Sequence, residues 1–421
     1  MVSSRTKWLV CLICFGLVFI FGLNVVAVVF AKMYTDPSCD ENVLPQINIE
    51  LNDISLDQLN SGDKDTKYYG NSAEIESCNE IKLYQNVEIK GRGNSTWGQY
   101  KNPYQIKFKE KVDLFGMGKA RKWVLLANVF DDSNLRTDIA FYLEKLLGEP
   151  FALKGEFAEV TIDGEYLGLY YITQKVEIDK TRVSINEPTG ILVELDNLHK
   201  EEEGILVAGN FLQIKDLVAD DKLEEATDDF MAQLRSLKQA VDKRDLATVE
   251  ELVDIDSMVR FYLLQEFMLN PDAYCSSFYM YKDGEEDKIH FGPGWDFDFS
   301  LGNEKWIWGE EEEFYSPFDL TIKDYYSSSR REQMFWFVEN EEFEELVKKM
   351  YQERMAGKKQ ELLDYIDERA KVIRQAALHD AGQWGIDFET ELSNLKSWVA
   401  DRFDYFEEVY GGWGKYEKHM L

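Results

Sequence analysis

The chain has 421 residues, of which 45% are hydrophobic and 14% aromatic, so it can bury a large core and is not a disordered protein. Its 79 acidic residues outnumber its 47 lysines and arginines, leaving a formal charge of -32. That balance argues against a nucleic-acid binder, whose affinity rests on cations neutralising phosphates, and favours a basic protein as partner.

Residues 8–31 form an apolar run interrupted only by Asn24 and two glycines, long enough to cross a bilayer as one helix. Arg5 and Lys7 precede it and Asp36, Asp40 and Glu41 follow, which puts the amino terminus in the cytoplasm and the body outside. Residues 1–31 are therefore expected to be a signal anchor; Val29-Phe30-Ala31 leaves a cleaved signal peptide as the alternative, and the body is exported either way. In an oxidising compartment Cys39 and Cys78 could pair, while Cys275 stands apart.

Residues 32–84, rich in Asp, Asn, Ser and Gly with one alternating run at 47–51, read as a stalk with first strands, and residues 85–421 as the main domain. Within it, 85–215 is strand-rich. Residues 158–162 and 166–172 make a hairpin about Asp163-Gly164, in what reads as an antiparallel sheet. One helix interrupts the sheet over 135–147, capped by Asp132 or Ser133 and closed by Gly148 ahead of Pro150. From Asp220 the period lengthens: Leu223, Ala226, Phe230, Leu234, Leu237 and Val241 share a helical face, and 257–269, 341–366 and 390–409 continue the pattern. Residues 216–421 are thus predicted to be mainly helical, and the whole an α+β protein. The acidic run 310–313 reads as a solvated face.

Chemistry concentrates in two places. Asp272 in Asn270-Pro271-Asp272 is followed five positions later by Ser277, and then by Trp295-Asp296-Phe297-Asp298. Phosphoryl transfer uses this order: a carboxylate that orients the attacking hydroxyl, a polar group that helps hold metal, and a further carboxylate on Mg²⁺. Taken alone, an Asp after Pro is more often a turn or cap, and WDFD could be a structural calcium loop. Earlier in the chain, Lys107 on a predicted strand is the first candidate for a phosphate-binding lysine, and Arg92, between Gly91 and Gly93, is the second. A lysine in that role needs a carboxylate partner, which Glu144 or Glu177 could supply. Four scattered histidines have no metal-ligand spacing and no G-x-S-x-G accompanies them, so zinc and serine hydrolases are poor fits.

The segments RGNSTW (92–97), PYQIKF (103–108), KWVLLAN (122–128) with Arg136, AEVTIDGEYLGLYYIT (158–173), ILVELD (191–196), NPDAY (270–274) and WDFD (295–298) occur in an order that resembles the CotH family of spore coat protein H and its relatives. That resemblance, from about Val87 to the carboxy terminus, implies a diverged protein-kinase-like two-lobed fold with a strand-rich first lobe and a helical second one, behind one transmembrane helix. It also implies ATP and Mg²⁺ or Mn²⁺ as cofactors, Asp272 as the catalytic carboxylate, and Asp296 ahead of Asp298 as metal ligand. The expected activity is transfer of the γ-phosphoryl group to Ser or Thr of a spore-coat or surface protein, Ser-rich and basic. The other expectation it carries is a noncatalytic coat or surface protein. Two departures bear on that choice: Ser277 stands where many relatives place Asn, and Gln174 where many place Glu.

Overall fold

The computed structural model describes residues 43–78, 80–197, 204–303 and 338–411. The apolar run 8–31, Cys39 and the acidic run 310–313 lie outside them; among the described residues no helix is long and apolar enough to cross a membrane. The protein is a mixed α+β structure with a strand-rich amino-terminal region and a helical carboxy-terminal one.

Strands β1 (Gln46–Glu50), β2 (Tyr68–Ser77), β3 (Glu80–Gly91), β4 (Tyr104–Asp113), β5 (Lys119–Leu126), β6 (Gly155–Ile162) and β7 (Glu165–Gln174) close into a barrel in the order β1-β2-β3-β4-β5-β7-β6. Alternation places Ile47, Ile49, Val87, Ile89, Ile106, Trp123, Val160 and Tyr170 in its dry interior. Asp163 (φ 50°) and Gly164 (φ 77°) both sit in the left-handed region that a tight hairpin turn demands. The sheet expected from the sequence is therefore closed. Its closing pair is β1 with β6, parallel, with Ile47 beside Val160; local alternation does not reveal a pairing between strands so far apart. The break expected at 84/85 falls inside β3.

A short helix α1 (Leu56–Ser61) links β1 to β2, and α2 (Arg136–Leu147) stands between β5 and β6. The N-cap position of α2 falls on Leu135, which has no side-chain cap, and not on Asp132 or Ser133; the turn ahead of it is held by Asp131, whose Oδ2 accepts from Arg136 N at 2.8 Å while Oδ1 accepts from Ser133 Oγ at 2.6 Å, and by Ser133 Oγ, which accepts from Leu135 N at 3.3 Å. Gly148, φ 88°, closes the helix as expected.

A second sheet, order β12-β11-β8-β10-β9, is built from β8 (Ile191–Leu195), β9 (Ile205–Val207), β10 (Asn210–Leu217), β11 (Phe278–Lys282) and β12 (His290–Phe291). It spans the expected 215/216 boundary, because β8 pairs with β10 on one side and β11 on the other. One hydrophobic core joins it to α3 (Leu223–Asp242), α4 (Leu246–Leu252), α5 (Ile255–Met268), α6 (Glu341–Arg354), α7 (Lys359–Trp384), which also lies against β7, and α8 (Phe388–Tyr410). Ala226, Phe230, Leu234, Leu237 and Val241 of α3 are buried as their spacing predicts, whereas Leu223, in its first turn, stays exposed. The run 341–366 is not one helix: Gly357 at φ 72° turns the chain between α6 and α7.

Candidate active site

A cleft of about 580 Å³ opens between the barrel and the second sheet, within the range of small-molecule sites. Arg92, Lys107, Ser277, Asp296 and Asp298 line it. Asp272 is not on the cleft wall, but its charge reaches Asp298.

The barrel side is the return from β3 to β4. Arg92 N donates to Pro103 O at 3.2 Å, closing the loop that carries RGNSTW. The glycines on either side of Arg92 are steric necessities: a Cβ on Gly91 would lie 2.4 Å from the Trp97 ring, and Gly93, at φ 82°, would meet Thr96 Oγ1 at 2.0 Å. This tight loop aims Arg92 at the opposite wall, where its guanidinium lies 5.1 Å from the centre of the Trp295 ring. Its Nη1 is buried with no hydrogen-bond partner among the described residues.

The opposite side begins at the end of α5. Leu269 leaves the helix at φ 49°, Asn270 Oδ1 accepts from Asp272 N at 3.1 Å, and the Asp272 carbonyl accepts from both Cys275 N and Ser276 N at 3.0 Å. Asn270 Nδ2 also donates to Asp296 O at 3.2 Å, tying the NPDAY turn to WDFD. Tyr274 (φ 59°), Ser277 (φ 50°) and Asp296 (φ 69°) all occupy left-handed backbone without being glycine, a concentration of strain typical of functional turns. WDFD is not a strand: Asp296 is exposed, Phe297 buried and Asp298 half-buried.

Ser277 Oγ donates to Asp296 Oδ2 at 3.1 Å. Burial, and then the neighbouring charges of Asp296, Asp272 and Asp131, push the Asp298 carboxyl well above the usual carboxylate range. Like charges brought this near one another are the setting a divalent ion relieves. Among the described residues no group of three or more His, Cys, Asp or Glu is placed to cage a metal. A partial set of one or two carboxylates suits Mg²⁺ or Mn²⁺, which complete their shells with water and phosphate oxygens, better than it suits calcium.

The lysine–carboxylate pair differs from the expectation. Lys107 Nζ lies 4.0 Å from Glu88 and does not pair with Glu144 or Glu177. Glu177 is held instead by Lys122, at 2.8 Å, and by Arg182, at 3.6 Å. Lys122 is the register partner of Lys107 on β5 and also lines the cleft. Glu144 is buried away from the lysines, accepting from Gly294 N at 2.5 Å below the WDFD turn.

A family model described as CotH kinase protein matches residues 89–406, from β3 to α8. The chain belongs to the CotH family. At family level this makes it a CotH-like kinase, a class that works with ATP and a divalent metal on a protein substrate. No curated protein matches the chain.

One departure from the CotH pattern has a structural account. Gln174 Nε2 donates to Met117 O at 2.7 Å and Thr181 O at 2.9 Å, while its Oε1 accepts from Lys154 N at 3.0 Å. A glutamate could not donate to those two carbonyls. Sequence reasoning missed Lys122, which stands in the KWVLLAN motif but gave no sign of which lysine the sheet register would carry to Glu177. It also missed the second-sheet wall, where Lys215 pairs with Glu194 at 2.6 Å and Ser276 Oγ donates to Asp196 at 2.9 Å.

Proposed function

We propose that this CotH protein binds ATP with Mg²⁺ or Mn²⁺ in the cleft and transfers the γ-phosphoryl group to Ser or Thr of a surface or spore-coat protein, Ser-rich and basic. In this reading the barrel is the first lobe and the helical region the second lobe of a diverged kinase. The observation that carries the reading is the meeting of Asp296, Asp298 and Ser277 on one wall of the cleft, with Ser277 Oγ bonded to Asp296, across from Arg92, whose Nη1 has no hydrogen-bond partner among the described residues.

The chain's own groups divide the work. Asp296 and Asp298 would hold the metal, which when bound neutralises charge on the transferring phosphoryl oxygens. Arg92, steadied on Trp295, offers a guanidinium edge to phosphate, and Lys122, held by Glu177, adds a second cation, with Lys107 beside it. Asp272 orients the acceptor hydroxyl and takes its proton. The acidic surface favours a basic substrate by attraction.

The apolar run 8–31 would anchor the protein, with the body on the extracytoplasmic side. Cys78 is disulfide-bonded, which suits an oxidising compartment. A second reading, a noncatalytic member of the family, is favoured by Ser277, whose neutral hydroxyl anchors a metal less firmly than the Asn amide oxygen; Gln174, serving structure, no longer weighs on that side.

Equilibrium binding of ATP to the full chain tests the site. Wild type is expected to bind ATP in a Mg²⁺-dependent way, Asp296→Ala to lose that metal dependence, and Asp272→Ala to bind as wild type does. Metal dependence that survives in Asp296→Ala would remove the assignment.

A further inference from the structure

The cations of the cleft are not equivalent. Lys122 is neutralised by Glu177, Lys215 by Glu194 and Lys90 by Asp65. Lys175, the residue after β7, lines the same cleft and makes no hydrogen bond or ion pair with any described residue. The charged groups facing it are Lys122 on β5, Glu177 beyond β7, and Lys215 and Asp216 on β10. Both acids among them are already committed: Glu177 to Lys122 and Arg182, and Asp216 to the backbone N–H groups of Ile178, at 3.0 Å, and Leu217, at 3.1 Å.

We propose that Lys175 is a further phosphate-binding residue of this cleft, left without a counterion among the described residues so that the polyphosphate of the nucleotide becomes its counterion. The inference rests on the ATP-binding reading above and assigns a role to a residue that reading does not use. Burial, reinforced by Lys122, pushes the Lys175 ammonium down to about 8. An anion seated against it restores the charged form, so binding takes up a proton wherever free Lys175 is partly neutral. ATP affinity therefore falls as pH rises through about 8. The same burial makes the residue a cost to the empty fold, which a neutral side chain of similar length would relieve.

Isothermal titration of the full chain with ATP and Mg²⁺ at pH 8.5, in two buffers of different ionisation enthalpy, measures both affinity and proton uptake. Wild type should take up most of one proton at pH 8.5 and little at pH 7. Lys175→Met should bind about tenfold or more weakly, without that uptake, and melt at the wild-type temperature or above. Lys175→Arg should keep the affinity and lose the uptake, because arginine stays charged. If Lys175→Met binds ATP as wild type does with the same proton uptake, the inference falls and the kinase reading stands. If wild type binds no ATP, the kinase reading falls and takes the inference with it.

Discussion

Gln174 and Glu144 occupy positions where a charged acid and a catalytic partner would be sought, and the structure gives both to the fold. Gln174→Glu replaces a donor to two buried carbonyls with an acceptor, and should destabilise the protein by about 1–3 kcal/mol in denaturant unfolding at neutral pH. Glu144 is held well above the usual carboxylate range by burial first and by Glu149 second. A carboxyl whose folded value is raised gives up its proton in the unfolded chain first, so stability declines as pH climbs from the ordinary glutamate value toward the folded one. Glu144→Gln keeps an oxygen for Gly294 N and should flatten that decline, an effect read from melting temperatures across pH 4 to 8 in parallel with wild type. At this scale the sequence singled out Ser277, Asp296 and Asp298, which line the cleft, and Asp272, which does not. The lysine partner was not legible: Lys107 and Lys122 face each other across β4 and β5, and only the register decides which one meets Glu177.

The amino terminus of α2 holds the loop that follows WDFD. Arg136 Nη1 donates to Asp131 Oδ1 at 2.5 Å and its Nε to Ser300 O at 2.8 Å, while Asn303 Nδ2 donates to Asp298 O at 2.6 Å and to Phe130 O at 2.6 Å. Phe130 and Phe299 stack beside this clamp with centroids 5.1 Å apart. The turn that carries Asp298 is thus positioned through α2. Arg136→Ala would leave Asp131 buried without its cation and should cost about 3–5 kcal/mol, measured by urea unfolding; a loss within 0.5 kcal/mol, roughly that of a surface substitution, would mean that the clamp is dispensable. Helix α2 itself was readable from its spacing and Gly148. Its first turn was not, because Asp131, Asp132 and Ser133 are all competent capping types, yet the cap position falls on Leu135 and Asp131 reaches Arg136 N from five residues away.

Across the whole molecule, barrel and helices meet through a buried ion pair: Lys101 Nζ, from the β3–β4 return, donates to Asp380 Oδ2 of α7 at 2.8 Å and to Leu169 O of β7. The loop that presents Arg92 is therefore tied to the helical region as well as to the barrel. Periodicity foretold the split between a strand-rich half and a helical half. It did not foretell that β1 closes a barrel with β6, or that β11 and β12 from the helical half join a sheet with β8, since those pairings unite segments distant in sequence. The same long-range pairings make the cleft, by setting NPDAY and WDFD opposite RGNSTW. The most direct test of the central claim is phosphate incorporation from γ-labelled ATP into a Ser-rich basic protein and into the chain itself, with Mg²⁺ or Mn²⁺, comparing wild type with Asp272→Ala. Incorporation by wild type that falls by about 10²-fold or more in a folded Asp272→Ala is the predicted result; equal incorporation by both, or none by wild type with either metal, would contradict it.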